Sequence, residues 1–410
     1  MRNAYNILTY IVDFHLRLIA LFNRKISLGV QGRKHSFKII KEHIKVDDPT
    51  LWFHCASLGE YEQGLPVFEK VKALYPDHKV VLSFFSPSGY EHKKDSSIGD
   101  LVIYLPLDTK SNARRFVELV HPELVLFVKY EIWPNYLFEL QKTKTRTLLI
   151  SALFRPSQTY FKSSGKWMLN ALKTFEWIFV QNDSSVQLLN DYGVSDVSRS
   201  GDTRFDRVTN QLNQDNKIAT IEDFVDGKLC FVAGSTWPEG EIPLVDFINK
   251  DESDTKYIIA PHNIKEARIS KLLKSIQRPV TRYTADEDKS LSDYKVLVLD
   301  TIGLLSKAYS YADIAYVGGA MGTTGLHNTL EAAIFGVPIL IGPNHKRFPE
   351  AMDMINSGGM FVVKDPGEMS EILRKLISDK NYRESTGSRN EDYIKKNRGA
   401  VVRIMDYLRK

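Results

Sequence analysis

From about residue 48 onward, short apolar runs alternate with amphipathic stretches of helical period. The runs in the first half are LWFHCA, KVVLSFF, LVLFV, RTLLIS and WIFVQN, with a weaker one before Gly201. Strands covered on both faces read as near-continuous apolar runs, so this pattern predicts a parallel sheet flanked by helices. Residues 208–228 lose the strong runs and are read as a hinge. The alternation then restarts with KLCFVAG, KYIIAP, KVLVLD, IAYVGG, PILIGP and MFVV. The expected fold is α/β, with two Rossmann-like domains facing a cleft: an N-terminal domain over 42–210 and a C-terminal one over 211–390. A last helix, 391–410, is placed to pack back on the N-terminal domain. In open α/β sheets ligands collect at the carboxyl ends of the strands, so the residues there are the candidates for chemistry.

The start of the chain has a different pattern. In residues 4–22, AYNILTYIVDFHLRLIALF, the polar positions Asn6, Thr9, Asp13 and Arg17, continued by Arg24, fall in one narrow stripe at 100° per residue. This reads as an amphipathic helix with a wide apolar face, and no small-residue cleavage site follows it. Residues 1–41 hold eight Lys or Arg against one acid, Asp13. Taking that +7 from the net +5 of the 410-residue chain leaves −2 for the remainder. Cations confined to the end of a greasy helix suit an anionic lipid surface better than a nucleic acid. The segment is therefore expected to associate with a membrane, either lying on it or spanning it as a single anchor, with Asp13 and Arg17 pairing at i, i+4. The two cysteines, Cys55 and Cys230, lie in apolar runs and read as core residues of a protein body in a reducing, cytoplasmic compartment.

Candidate chemistry sits at the predicted strand ends. In the second half, Gly318, Gly319, Gly322 and Gly325 form a loop before a helix expected near Asn328 or Thr329, with His327 between. Glycines admit a ligand close to the backbone, exposed N–H groups favour a phosphate, and Glu331 is positioned to bind a ribose diol. The spacing is not the dinucleotide fingerprint. Ser235 and Thr236 end another strand; with Glu239 they read as a capping box or as a phosphate cradle. His262 follows a third strand. In the first half, Lys129 and Glu131 follow LVLFV, and Pro134 suits the first turn of the next helix. Asp108 in LPLD reads as a helix N-cap. In FHCASLGE, Ser57 and Glu60 fit the capping box S-x-x-E, yet Glu60 also stands at a strand's carboxyl end, where a carboxylate can take a proton.

Several of these segments together resemble the 3-deoxy-D-manno-octulosonic acid (Kdo) transferases of lipid A assembly. They are CASLGE, LPLD, EIWPN, GDTRFD, GST with a following acid, and GLHNTLEAA. The resemblance runs from the N-terminal helix to about residue 363. It implies a two-domain GT-B glycosyltransferase that moves Kdo, with inversion, from CMP-Kdo to a glucosamine 6'-hydroxyl of a lipid A precursor of the lipid IVA type, at the cytoplasmic face of the inner membrane. Glu60 would be the general base. Ser235, Thr236, His262, Gly318, Gly319, Gly322, Gly325, His327, Asn328 and Glu331 would bind CMP, without a metal. Ser57, Gly59, Lys129, Glu131, Arg155 and Arg204 would meet the acceptor or acidic groups. Lys129 departs from the family, which often has a carboxylate there. Two other classes predict differently: another GT-B nucleotide-sugar enzyme would not need the greasy helix, and a non-catalytic sensor would use Glu60 only as a cap.

Overall fold

A computed structural model describes residues 1–285 and 290–409. The chain forms two compact units, one of residues 1–207 and 398–410, the other of residues 208–397. The first holds β1 (Thr50–Cys55), β2 (Lys79–Phe84), β3 (Leu101–Tyr104), β4 (Leu124–Val128), β5 (Arg146–Ala152), β6 (Trp177–Val180) and β7 (Val197–Arg199). All pair in parallel, in the order β3-β2-β1-β4-β5-β6-β7. The second holds β8 (Cys230–Thr236), β9 (Lys256–Pro261), β10 (Val280–Arg282), β11 (Val296–Val298), β12 (Ile314–Val317), β13 (Ile339–Ile341) and β14 (Met360–Val362). These are also parallel, in the order β10-β11-β9-β8-β12-β13-β14. Strand order reverses between β1 and β4 and between β8 and β12, which opens a crevice at the carboxyl ends in each unit.

Burial accounts for both sheets. Every residue of β1 and β4 is buried, and Phe53 of β1 stacks on Phe68 at 4.5 Å between ring centres. Each such fully buried ring is worth about 1.5–3 kcal/mol relative to exposure. Strands β3 and β10, edge strands of four and three residues, were not expected from the sequence.

Helices α1 (Arg2–Ile19) and α2 (Arg24–His43) precede β1. α1 is amphipathic with its polarity reversed. Its polar side, with Asn6, Thr9 and Asp13, is half-buried, while Ile7, Leu8, Ile11, Phe14 and Leu18 are exposed. Polar tethers hold it: the Tyr5 hydroxyl donates to Asp108 Oδ2 at 2.7 Å, Tyr10 and Ser111 hydroxyls meet at 3.2 Å, and Arg2 sits 4.0 Å over the Phe138 ring. Asp13 and Arg17 pair at 2.6 Å. Among the described residues no helix is long and apolar enough to cross a membrane. That corrects the spanning alternative for this segment: charge at Asp13 and Arg17 interrupts the span.

Asp108 caps a different helix from the one expected. Helix Lys110–Val120 is capped by Thr109, whereas Asp108 accepts from the backbone N–H groups of Asn135 (3.1 Å) and Tyr136 (3.0 Å), at the start of Pro134–Lys142. Burial pushes its carboxyl up to about 7, against these donors.

Helix Ala400–Leu408 returns to the first unit and buries Val401, Ile404, Met405 and Leu408 in the cluster that holds Val67 and Val71. Its N-terminus is capped by Asp206, whose carboxylate accepts from the N–H groups of Gly399 (2.7 Å), Ala400 (2.9 Å) and Val401 (3.3 Å). Asp206→Ala leaves these donors without that carboxylate. It should cost about 1–2 kcal/mol, read as a lower midpoint in urea unfolding at unchanged slope.

Candidate active site

In the first unit the chain passes from β1 into α3 (Leu58–Leu74) with Ser57 as N-cap. Glu60 is the third residue of that helix. Its Oε2 accepts from the backbone N–H of Ala56 (2.6 Å) and of Ser57 (3.1 Å), which is the glutamate half of a capping box. None of the described residues hydrogen-bonds Oε1. Beside it Gly59 is exposed, with nothing within 4 Å of where a Cβ would stand. Burial, and next the charge of Glu131, push the Glu60 carboxyl up to about 7, opposed by the two N–H groups and Lys129. A carboxylate poised near neutrality with an unoccupied oxygen is equipped to accept a proton.

Glu131 is only 7% exposed. Its Oε2 lies 3.0 Å from His54 Nε2 and accepts from Trp133 Nε1 at 2.8 Å, and the same indole N–H reaches His54 Nε2 at 3.2 Å. Its Oε2 belongs to an internal network. Lys129 has a left-handed backbone (φ 66°), and its Nζ lies 5.5 Å from the centre of the Tyr130 ring. Tyr130, which the sequence reading passed over, ties the cationic residues together. Burial raises its phenol, and the charges of Arg155, Glu60 and Arg204 all act on it. Arg155 is exposed; Arg204 donates from Nε to Asp202 Oδ2 at 2.8 Å. Asp202 Oδ1 in turn accepts from Gln63 at 2.8 Å, one turn along α3 from Glu60. Glu60, Lys129, Arg155 and Arg204 therefore share the carboxyl end of one sheet.

In the second unit β8 ends in a bulge with Ser235 left-handed (φ 51°) and Thr236 2% exposed. The Thr236 hydroxyl donates to Glu241 Oε1 at 2.7 Å, and the helix that follows, Pro238–Lys250, is capped by Trp237. No Thr236–Glu239 capping box forms and the Thr236 hydroxyl faces inward. Pro238 takes the first helical position and moves the start of the helix on by a residue, which removes the capping box. Trp237, also missed, stacks on His262 at 4.7 Å and 21°, and donates Nε1–H to His327 Nε2 at 3.0 Å. An indole N–H can only donate, so Nε2 of His327 is the acceptor and a neutral ring carries its proton on Nδ1. Burial, and then His262, lower His327 to about 4.

The glycine loop packs tightly against these residues. A Cβ on Gly318 would overlap the Ser235 carbonyl, Gly319 (φ 97°) and Gly325 (φ 92°) need positive φ, and His327 N–H closes on the Gly318 carbonyl at 3.1 Å. Gly322 lies against Glu239, whose carboxyl carbon would be 3.2 Å from an added Cβ. The helix expected near Asn328 or Thr329 is a single turn, Leu330–Ala333. Glu331 accepts from Asn328 Nδ2 and from Ser306 Oγ, each at 2.9 Å. Ser306 lies 25 residues upstream and carried no sequence signal.

Residues 31–207, most of the first unit, match a family model described as 3-deoxy-D-manno-octulosonic-acid transferase (kdotransferase). The chain is 29% identical over 348 residues to the 3-deoxy-D-manno-octulosonic acid transferase of Aquifex aeolicus, covering 83% of this chain and 89% of that one. It is 26% identical over 372 residues to the enzyme of that name from Haemophilus influenzae, covering 88% and 86%. Its fold is similar to that of UDP-GlcNAc 2-epimerase from Neisseria meningitidis, with a TM-score of 0.61, 16% identity, and coverage of 88% of this chain and 100% of that one.

Proposed function

The chain belongs to the 3-deoxy-D-manno-octulosonic acid (Kdo) transferase family and is a glycosyltransferase; from that premise we propose that it transfers Kdo, with inversion, from CMP-Kdo to a hydroxyl of a lipid A precursor. Glu60 is the general base. A sugar hydroxyl becomes an effective nucleophile as its proton leaves, and the anomeric carbon carries oxocarbenium-like charge as the bond to CMP breaks. Oε1 accepts the proton, the hydroxyl oxygen bonds the anomeric carbon, and the electron pair of the broken bond departs with the CMP phosphate. The observation that carries this reading is the Glu60 carboxyl, raised to about 7, with Oε2 held by backbone and Oε1 open.

In this reading the loop from Gly318 to Asn328, Ser235 and the Nδ1–H of His327 meet the phosphate. Glu331 takes the ribose, and Lys129, Arg155 and Arg204 meet carboxylate or phosphate groups of donor and acceptor. No metal is called for. The test is incubation with CMP-Kdo and a lipid A precursor, with UDP-sugars as controls: Kdo appears on the lipid by mass spectrometry, and its absence with a folded, CMP-binding protein ends the proposal.

The pH dependence follows from Glu60. The base acts when ionised, so kcat/KM should rise about tenfold per unit below the limb and level off above about 7. A limb at the ordinary carboxylate value would contradict this.

A lipid acceptor also gives α1 a role. Its exposed apolar residues, followed by Arg24 and Lys25, suit insertion into an anionic membrane surface. Deleting residues 1–25 should reduce the rate on acceptor in vesicles about tenfold or more and on detergent-dispersed acceptor much less, each buried apolar side chain contributing on the order of 1 kcal/mol to membrane binding. Equal loss on both would instead assign α1 to folding.

A further inference from the structure

None of the 18 residues of α1 is buried, so the helix is held to the first unit by its tethers rather than by a core. Those tethers converge on the elements that carry the candidate site. The Tyr5 hydroxyl meets Asp108 Oδ2 at 2.7 Å, and Arg2 lies 4.0 Å over Phe138 of helix Pro134–Lys142. The Tyr5 ring also stands 5.1 Å from that of Trp167, in the segment after β5 that begins with Phe154 and Arg155.

Asp108 serves α1 and the site at once. Its side chain accepts from the N–H groups of Asn135 and Tyr136, and the Tyr5 hydroxyl shares Oδ2 with Asn135. Asn135 Nδ2 donates to the Asp108 carbonyl at 2.7 Å and the Tyr136 hydroxyl to the Pro106 carbonyl at 2.9 Å. Residues 106–108 and the first turn of helix Pro134–Lys142 are thus stitched into one piece. The N-cap residue of that helix, Trp133, caps nothing with its side chain. Its indole N–H is turned to Glu131 Oε2 at 2.8 Å, and its ring lies 4.8 Å from that of Phe85. Where the helix starts therefore sets where Trp133 stands, and Trp133 holds the residue whose charge acts on Glu60.

Most helical stability in proteins comes from packing, which α1 on its own lacks. A lipid surface supplies it to Ile7, Leu8, Ile11, Phe14 and Leu18 on the outer side. Only as a helix does α1 set Arg2 and Tyr5, at i, i+3, on one side toward their partners. Lipid and protein body favour the same conformation from opposite faces, and two partners that favour one state strengthen each other. We propose that Tyr5 is a positioning residue: through Asp108 it transmits the seating of α1 on a lipid surface to the first turn of helix Pro134–Lys142, and so to Trp133 and Glu131. The proposal rests on the reading of α1 as membrane-seated and goes beyond attachment. The membrane becomes an activator of the enzyme as well as the place where the acceptor lies.

The test uses the full-length protein and Tyr5→Phe, with phosphatidylglycerol vesicles that carry no acceptor. Amide hydrogen exchange is followed by mass spectrometry on peptides that span residues 131–142. Asn135 is 2% exposed and Tyr136 fully buried, so vesicles cannot shield their N–H groups by contact and slowing there comes through the fold. In the wild type, vesicles should slow exchange in these peptides about fivefold or more, the low end of ordinary coupling between sites. Tyr5→Phe keeps the apolar face and should sediment with the vesicles as the wild type does, yet lose the slowing. On acceptor in vesicles its kcat should fall about fivefold at unchanged KM; a helix that only anchors would move KM instead. Wild type that binds vesicles without slower exchange, or Tyr5→Phe that keeps the slowing or the wild-type kcat, overturns the proposal. Wild type that fails to bind the vesicles ends the membrane role of α1 and this proposal with it. The exchange result needs no turnover, so it is read separately from Kdo transfer, which fails instead if no Kdo appears on the lipid.

Discussion

Glu60→Gln should fold as the wild type does and lose turnover by roughly 10²–10⁴-fold, the usual worth of a general base. The two halves of this expectation come from the two carboxyl oxygens. Oε2 accepts from Ala56 N–H and Ser57 N–H, and a glutamine carbonyl oxygen accepts from both equally well, so the start of α3 keeps its cap. Oε1 makes no hydrogen bond to the described residues, and its replacement by an amide turns a proton acceptor into a donor. Near pH 7 the native carboxyl is already partly protonated, so little charge is lost from the fold and the unfolding free energy should change by less than about 1 kcal/mol. The measurement is kcat beside a urea unfolding curve. A fall in both together would make Glu60 a structural residue; an active variant would leave it as a cap alone.

The second large effect is expected at Gly319→Ala. Gly319 has φ 97°, and a Cβ there would overlap the carbonyl oxygen of Gly325, itself a residue of positive φ. The overlap is with backbone, so no side chain can swing away. The loop is closed by the Thr324 hydroxyl donating to the Gly319 carbonyl at 3.1 Å and by His327 N–H on Gly318. Strained φ alone costs about 1–2 kcal/mol, and opening the loop adds to it, for a total of about 2–4 kcal/mol. Because that loop is the proposed phosphate cradle, calorimetric titration with CMP should show affinity falling by tenfold or more. Unchanged CMP binding would remove the loop from the donor site.

Most of the fold was readable because buried parallel strands leave an unmistakable apolar signature, and β1, β4 and β8 stand where the runs LWFHCA, LVLFV and KLCFVAG occur. β3 and β10 were not readable: LVIY runs straight into LPLD, which reads as a turn and helix cap, and VTR has one apolar residue in three. For the site, sequence could point to strand ends but not to side-chain direction. Thr236 reads as a capping or phosphate-binding group, and its hydroxyl donates to Glu241; Glu131 reads as an acceptor-side residue, and its Oε2 lies against His54, 77 residues away. Trp237 and Ser306 carry no motif and were found only through His327 and Glu331. What a residue is lies in the sequence; which partner claims its polar atoms is decided by strand order.

The return of residues 398–410 to the first unit has a bearing on biosynthesis. The second unit is an insertion within the first, and Val401, Ile404, Met405 and Leu408 are the last apolar side chains of the cluster around Val67 and Phe179. On the ribosome, the earlier-translated unit keeps an open apolar flank while some 190 further residues are made, and it can complete its core only after the later-translated unit has been synthesised. A nascent chain stalled before Gly399 would present that flank to chaperones and proteases.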